Sequence, residues 1–179
     1  LEWKDGQEYD RGKVMTAEML DQGLDFGRYK DVDGDGIPYR TYPGTHPDKG
    51  SFFTRGTTRN AYAQYSEAGP DYMYNVTRLL TKFNTARELV PAPERHMANT
   101  NGKPTKFGVL YYGSTSPAMS EAFEALNAKG QAIDGMRLAA FPFSADVERF
   151  IAEHERVFVV EQNRDAQLRS LLVNELSID

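Results

Sequence analysis

Cysteine is absent from this 179-residue sequence. Its absence excludes disulfide bonds, a thiolate nucleophile and sulfur ligands for zinc or for an iron–sulfur cluster. Any iron–sulfur centre used in the chemistry of this protein must therefore be bound by another chain. A sequence without cysteine also agrees with a cytoplasmic location, which we adopt as an expectation.

Basic residues are in the minority, because 21 lysines and arginines face 26 acidic residues and give a formal net charge of −5. They are scattered along the sequence, which argues against a nucleic-acid partner. No apolar run approaches the length that spans a bilayer, and no secretory signal is visible, so we expect no membrane partner. His46, His96 and His154 lie too far apart to form a metal-binding motif.

The sequence has the composition of a globular protein, with 40% hydrophobic and 26% charged residues. The length allows one ordinary domain with a sizeable extension. Up to about Tyr65, glycine and proline recur and no periodicity persists, which predicts irregular loops. Aromatic residues are frequent in the same stretch, unlike in a disordered tail. We therefore expect these loops to be ordered by packing, with another subunit as one candidate surface.

A long helix is predicted over about 71–90, because apolar residues recur there every three or four positions between Pro70 and Pro91. We expect its apolar face to pack against the second half of the chain. The stretch 91–104, rich in asparagine and proline, is predicted to be a polar linker.

From Lys106 onward the pattern changes to alternating strands and helices, with strands predicted at 107–112, 136–141 and 157–161. Three such units predict an α/β domain with a mostly parallel sheet between helical layers. Three strands make a small sheet for this architecture, so we expect the domain to be truncated at its C-terminus.

The carboxyl ends of parallel strands are where such sheets bind ligands. Gly113 and Ser114 follow the first predicted strand, and Glu161 and Asn163 lie at the end of the third. Each of these loops leads into a helix, whose free N–H groups favour an anion. Ordinary helix capping explains the same residues, so both interpretations stay open.

An acidic loop is the most metal-like segment of the sequence. Asp31, Asp33 and Asp35 match the first three oxygen ligands of a calcium-binding loop, and Gly36 matches its sharp turn. The closing glutamate is missing, because Tyr42 stands at the twelfth position. A calcium site and an acidic surface turn are both compatible with this pattern.

Two arginine-bearing segments could bind a carboxylate. Arg40 lies between Pro38 and Pro43, in a stretch stiffened by both prolines. A second loop carries Thr57 between Arg55 and Arg59. A fixed guanidinium offers a planar pair of donors to a carboxylate, although a surface salt bridge would use the same residues.

Four stretches of the sequence resemble the α-subunit of the 2-oxoacid:ferredoxin oxidoreductases, of the 2-oxoglutarate synthase type. They are 10–14 (DRGKV), 26–46 (FGRYKDVDGDGIPYRTYPGTH), 52–67 (FFTRGTTRNAYAQYSE) and 159–172 (VVEQNRDAQLRSLL). The resemblance runs over nearly the whole chain. It implies a connecting region over 1–104 and a three-layer, transketolase-C-terminal-like domain over 105–179.

The resemblance further implies the oxidative decarboxylation of a 2-oxoacid, with 2-oxoglutarate favoured, to an acyl-coenzyme A. In that family the electrons pass through iron–sulfur clusters to ferredoxin, and the complete complex, which includes a β-subunit, holds thiamine diphosphate with Mg²⁺. The part that binds the diphosphate has no counterpart here. We therefore expect this chain to be inactive alone and to bind none of these cofactors, with calcium as the one possible exception.

Site residues also follow from the resemblance. Arg40 is similar to the family position that holds the substrate carboxylate. Thr57 and Arg59 match a substrate-proximal loop in which family members more often show Ser/Thr-Gly-His. The strand-end residues Glu161, Asn163 and Gln167 are expected to order a subunit interface. A non-catalytic assembly module and a calcium-stabilised binding domain are the alternative functions.

Overall fold

The computed structural model describes residue 6 and residues 8–54, 56–99 and 101–178 of the chain. The chain forms two compact units, which divide between Thr85 and Ala86. The division into a connecting region over 1–104 and a domain over 105–179 stays a prediction. None of the helices in the described ranges is long and apolar enough to cross a membrane.

The first unit consists mainly of irregular loops, as its glycine and proline content predicts. Its short helix α1 (Ala17–Asp21) begins at Thr16, whose hydroxyl accepts a hydrogen bond from the Met19 amide. A parallel isolated bridge between Val14 and Arg40 joins two distant loops, and an antiparallel one between Arg59 and Tyr65 closes a single loop.

The long helix α2 (Gly69–Leu89) begins in the first unit and starts two residues before its predicted position. Polar side chains on α2 hold the loop backbone: Arg78 donates to the Gly36 carbonyl at 3.0 Å and Thr85 to the Asp35 carbonyl at 2.6 Å. Gly36 adopts a φ of +77°, and a Cβ atom there would lie 2.4 Å from the Lys82 amide nitrogen. Only glycine therefore allows the loop to approach the helix this closely.

The apolar face predicted for α2 is not buried. Leu80 is 62% exposed and Phe83 is 53% exposed, whereas the one buried residue of the helix is Arg78. The packing of this face against the second half of the chain stays a prediction. The first unit uses the polar face of α2, because its irregular loops need hydrogen-bond partners for their backbone.

The second unit contains a four-stranded sheet in the order β1-β3-β2-β4. The strands are β1 (Glu94–His96), β2 (Phe107–Tyr112), β3 (Asp134–Leu138) and β4 (Arg156–Val160). Strand β2 is parallel to both β3 and β4, whereas β1 runs antiparallel to β3. The stretch predicted as a polar linker thus contains an edge strand, and β3 begins and ends earlier than predicted.

Helices cover both faces of this sheet. They are α3 (Ser116–Ala128), which follows a 3-10 turn at Gly113–Thr115, α4 (Ala145–Ala152) and α5 (Gln167–Leu176). Val109 and Tyr111 pack against Met119 and Phe123 of α3. Residues of the opposite sheet face, including Leu110 and Met136, pack against α4 and α5.

The predicted three-layer α/β/α architecture with a mostly parallel sheet is therefore confirmed. Its sequence basis is the alternation along β2, where neighbouring buried residues contribute to opposite cores. A Cβ atom on Gly135 would lie 2.4 Å from the Phe123 ring, so this glycine provides the space that α3 needs.

Candidate functional site

Arg40 is held by groups of its own unit. Its amide donates to the Lys13 carbonyl at 3.0 Å, and its carbonyl accepts from the Met15 amide at 2.9 Å. The guanidinium donates to the Arg11 carbonyl and lies 5.6 Å from the centroid of the Tyr42 ring. The side chain is half-buried. Arg40 is thus oriented by the loops without being enclosed in the core.

Arg59 and Thr57 lie together. The Arg59 guanidinium donates from Nε at 3.1 Å and from Nη2 at 2.7 Å to the Thr57 carbonyl. Its Nη1 donates to the Tyr29 hydroxyl at 2.7 Å. Both residues line a cavity of about 200 Å³ that also includes the rings of Phe53 and Tyr65. Arg55 of the same loop lies outside the described residues.

Two further arginines lie close to Tyr29 and were not selected from the sequence. The guanidinium carbons of Arg28 and Arg78 are 5.4 and 5.7 Å from the centroid of the Tyr29 ring, and that of Arg59 is 5.1 Å away. Arg78 is only 7% exposed, and its burial lowers its pKa. From the sequence, Arg78 could be placed only on the polar face of a predicted helix. That placement does not distinguish a buried arginine from an exposed one.

The acidic loop holds its carboxylates close together, with one oxygen of each of Asp31, Asp33 and Asp35 within 4.8 Å of the others. The Lys13 ammonium lies 2.6 Å from an Asp33 oxygen and 2.7 Å from an Asp35 oxygen. Asp31 instead accepts hydrogen bonds from the amides of Gly34 and Gly36. A lysine therefore already provides the positive charge that a calcium ion would bring.

The strand-end residues of β4 order the turn into α5. The Glu161 carboxylate accepts the amides of Leu168 and Arg169 at 2.9 and 3.2 Å, and Asn163 accepts the Gln167 amide at 3.0 Å. Desolvation raises the pKa of Glu161, but these amide hydrogen bonds and one from Asn163 outweigh it, so the pKa is lowered overall. Capping thus accounts for the polar atoms of these side chains.

The other strand-end residues have a simpler environment. Gly113 starts the 3-10 turn with a φ of +60°, and Ser114 is exposed. A cavity of about 310 Å³ lies at the carboxyl ends of the strands, and Gln167 is its one amide-bearing side chain. Most of its lining is apolar, including Leu138, Phe141 and Leu171. This lining suits a hydrophobic group better than a phosphate.

A buried ionisable pair lies away from these loops. Asp134, the first residue of β3, is fully buried and accepts the amides of Ala98 and Thr105, both at 2.8 Å. His154 Nε2 lies 3.2 Å from the Asp134 oxygen that accepts the Thr105 amide. The Nδ1 atom of His154 lies 2.6 Å from the Phe150 carbonyl. The pair is at the amino end of its strand, opposite to the edge where parallel sheets bind ligands, which indicates a structural role.

No protein-family model and no curated protein matches this chain. Its structure is similar to that of a 2-oxoglutarate:ferredoxin oxidoreductase from Magnetococcus marinus, solved with 2-oxoglutarate, coenzyme A and succinyl-CoA bound. The TM-score is 0.75, the sequence identity is 23%, and the match covers 87% of this chain and 27% of that chain. The chain thus spans about a quarter of the length of that protein and has the fold of that part, which confirms the resemblance at the level of the fold.

Proposed function

We propose that this chain is part of the α-subunit of a 2-oxoacid:ferredoxin oxidoreductase, with 2-oxoglutarate as the favoured substrate. The observation that carries the proposal is the structural similarity over 87% of the chain to an enzyme solved with 2-oxoglutarate and coenzyme A. The reaction would convert a 2-oxoacid and coenzyme A into an acyl-coenzyme A and CO2, and pass the two electrons released to ferredoxin. A β-subunit would complete the enzyme.

Arg40 would bind a carboxylate of the substrate. Within the described residues, its guanidinium has a hydrogen bond to the Arg11 carbonyl alone. The remaining N–H groups can therefore form the paired hydrogen bonds that a carboxylate accepts from arginine. The contacts with Arg11 and the Tyr42 ring would fix the direction of the guanidinium before substrate binds.

The described residues of this chain offer no fitting site for the Mg²⁺-bound diphosphate of thiamine diphosphate. Its diphosphate binds through Mg²⁺, which prefers oxygen ligands. In the part of the chain that the structure describes, the one group of three neighbouring acids is Asp31, Asp33 and Asp35, and Lys13 already contacts two of them. We therefore assign the thiamine diphosphate and, since cysteine is absent, the iron–sulfur clusters to other parts of the enzyme.

Substitution of Arg40 in the complete enzyme tests this assignment. A charge-assisted hydrogen bond contributes about 1.5–3 kcal/mol, so Arg40→Ala should lower kcat/KM for 2-oxoglutarate by roughly 10- to 150-fold. Arg40→Lys should restore little, because an ammonium cannot donate a matched pair of hydrogen bonds. The exposed Arg149, which pairs with Asp146, provides the control substitution to alanine. Unchanged kcat and KM in Arg40→Ala would refute the role of Arg40 in substrate binding.

The alternative is that the chain serves assembly and contacts no substrate. The observation that favours it is the exposure of large apolar side chains in the first unit, including Phe53 at 73%, Met73 at 65% and Leu80 at 62%. Exposed apolar groups of this kind mark protein–protein contacts. Under this alternative, substitutions within 26–60 would change subunit assembly and leave the kinetics of the assembled enzyme intact.

A further inference from the structure

Three guanidinium groups surround one aromatic ring in the first unit. The distances from Arg28, Arg59 and Arg78 to the Tyr29 ring centroid, all below 6 Å, satisfy the cation–π criterion. Tyr29 itself is fixed, because its amide donates to the Ala61 carbonyl and its hydroxyl accepts from Arg59. The three positive charges are thus gathered around a ring that the chain holds in place.

Two of these three guanidinium groups lack a carboxylate partner within the described residues. In the described ranges, neither Arg28 nor Arg78 forms an ion pair with an acidic side chain. Asp31 is the acid whose charge acts on Arg78, but its own oxygens accept the amides of Gly34 and Gly36. A ring quadrupole attracts cations without neutralising them, so Arg28 and Arg78 still repel one another.

Arg78 also carries a buried donor without a hydrogen-bond partner in the described residues. Its side chain is 93% buried, and its Nη1 donates to the Gly36 carbonyl at 3.0 Å, but its buried Nε has no partner within the described residues. A buried donor without a partner destabilises the fold, and more so when the group is charged. An anion in this region would therefore relieve both the unpaired donor and the mutual repulsion.

We propose that Arg28, Arg59 and Arg78 form a binding site for an oxyanion with at least two negative charges. Arg59 is oriented by Tyr29 and the Thr57 carbonyl, and the half-buried Arg28 provides access from solvent. Phosphate groups and dicarboxylates share the required chemistry. The site involves neither Arg40 nor the strand-end loops, and the proposal does not depend on the function proposed above.

Calorimetry and thermal unfolding of the 179-residue chain test this site, with pyrophosphate and 2-oxoglutarate as separate probes at an ionic strength fixed with sodium chloride. We expect one of them to bind and to raise the Tm beyond the effect of chloride. Binding that depends on Arg28 assigns a probe to this site, whereas 2-oxoglutarate bound by Arg40 would not respond to substitution of Arg28. Tighter Arg28-dependent binding of pyrophosphate would identify a phosphate site, and tighter Arg28-dependent binding of 2-oxoglutarate a dicarboxylate site. If neither probe binds, the proposal is wrong, whereas the proposed enzymatic function would be untouched.

Variants of Arg28 separate a specific site from general attraction. Arg28→Gln should weaken binding of the probe at least tenfold, and Arg28→Lys, which keeps the charge, should weaken it less. The matched control is Arg164→Gln, because Arg164 is an exposed arginine that pairs with the adjacent Asp165. Equal affinities in wild type, Arg28→Gln and Arg164→Gln would overturn the proposal. The half-buried Arg28 is the better choice for substitution, because replacement of the buried Arg78 would also remove the hydrogen bond to Gly36.

Discussion

At the scale of single residues, Lys13 determines what the acidic loop can bind. Its ammonium contacts both Asp33 and Asp35, and Asp35 also accepts the Ile37 amide at 2.7 Å. Desolvation raises the pKa of Asp35, but the hydrogen bonds from Lys13 and Ile37 lower it overall. The carboxylates of Asp33 and Asp35 are therefore already paired with Lys13, and a calcium ion would have to displace the lysine.

Removal of Lys13 should expose the calcium-binding capacity of this loop. We expect millimolar CaCl2 and EDTA to give the same Tm for the wild-type chain, whereas calcium should raise the Tm of Lys13→Met by mass action. Lys30→Met is the control, because Lys30 pairs with Asp25 outside the acidic loop. A calcium-dependent Tm in the wild type would instead favour the calcium-stabilised binding domain.

Asp134 makes a second prediction at this scale. Burial raises its pKa, but hydrogen bonds from the Thr105 and Ala98 amides and from His154 lower it overall. A carboxyl whose folded pKa is lowered stabilises the fold above its unfolded pKa of about 3.9, and that contribution is lost as the pH falls through the folded value.

Asp134→Asn should therefore destabilise the chain at pH 7 by about 3 kcal/mol, because it leaves His154 without its buried partner. It should also flatten the pH dependence of stability on the acidic side of pH 4. Urea unfolding between pH 2 and pH 7 measures both effects. Asp146→Asn removes an exposed carboxylate and should change stability by less than about 1 kcal/mol. Similar losses in the two variants would contradict the structural role of Asp134.

At the scale of elements, β4 has the sequence of an interior strand and the position of an edge strand. Its sequence RVFVV is apolar on both faces, which is typical of a strand covered on both sides. In the described part of the chain, however, β4 pairs with β2 alone, and Phe158 is 46% exposed. An apolar edge with free backbone groups favours pairing with another strand.

Phe158→Lys should therefore reduce self-association of the isolated chain. A charged side chain on an edge strand opposes strand-to-strand pairing, so light scattering at high protein concentration should fall relative to wild type. Phe141→Lys is the matched control, since Phe141 is 40% exposed but lies outside the strands. An equal decrease in both variants would indicate general hydrophobic attraction rather than pairing of the β4 edge.

The elements differ in how well the sequence predicts them. The bounds of β2 agree with the prediction at both ends, because a buried strand is a continuous apolar run. The three residues of β1 are Glu, Arg and His, so their strand conformation depends on pairing with β3 and leaves no local signal. The spacing of apolar residues predicted the helix α2 correctly. Periodicity does not show, however, which face of the helix the irregular loops of the first unit cover.

At the scale of the whole molecule, the candidate site was predictable only where residues are close in sequence. Arg40 and Arg59 were selected within short stretches that resemble a known family. Arg28 and Arg78 are fifty positions apart and approach Tyr29 because the loops fold onto α2. This proximity depends on tertiary structure. No motif of fixed spacing links Arg28 to Arg78, so a single sequence does not predict that they lie close together.

The exposed apolar face of α2 gives a prediction for the complete enzyme. If the chain contributes an assembly surface, Leu80→Lys should lower the fraction of assembled complex in analytical ultracentrifugation, because a charge would be buried at a protein–protein contact. Asn84→Lys is the control on the same helix, since Asn84 is exposed and polar. Where Leu80→Lys complexes still assemble, their KM for 2-oxoglutarate should match the wild type, in contrast to Arg40→Ala. Wild-type assembly of Leu80→Lys would show that this face stays in solvent, and the alternative function would lose the observation that favours it.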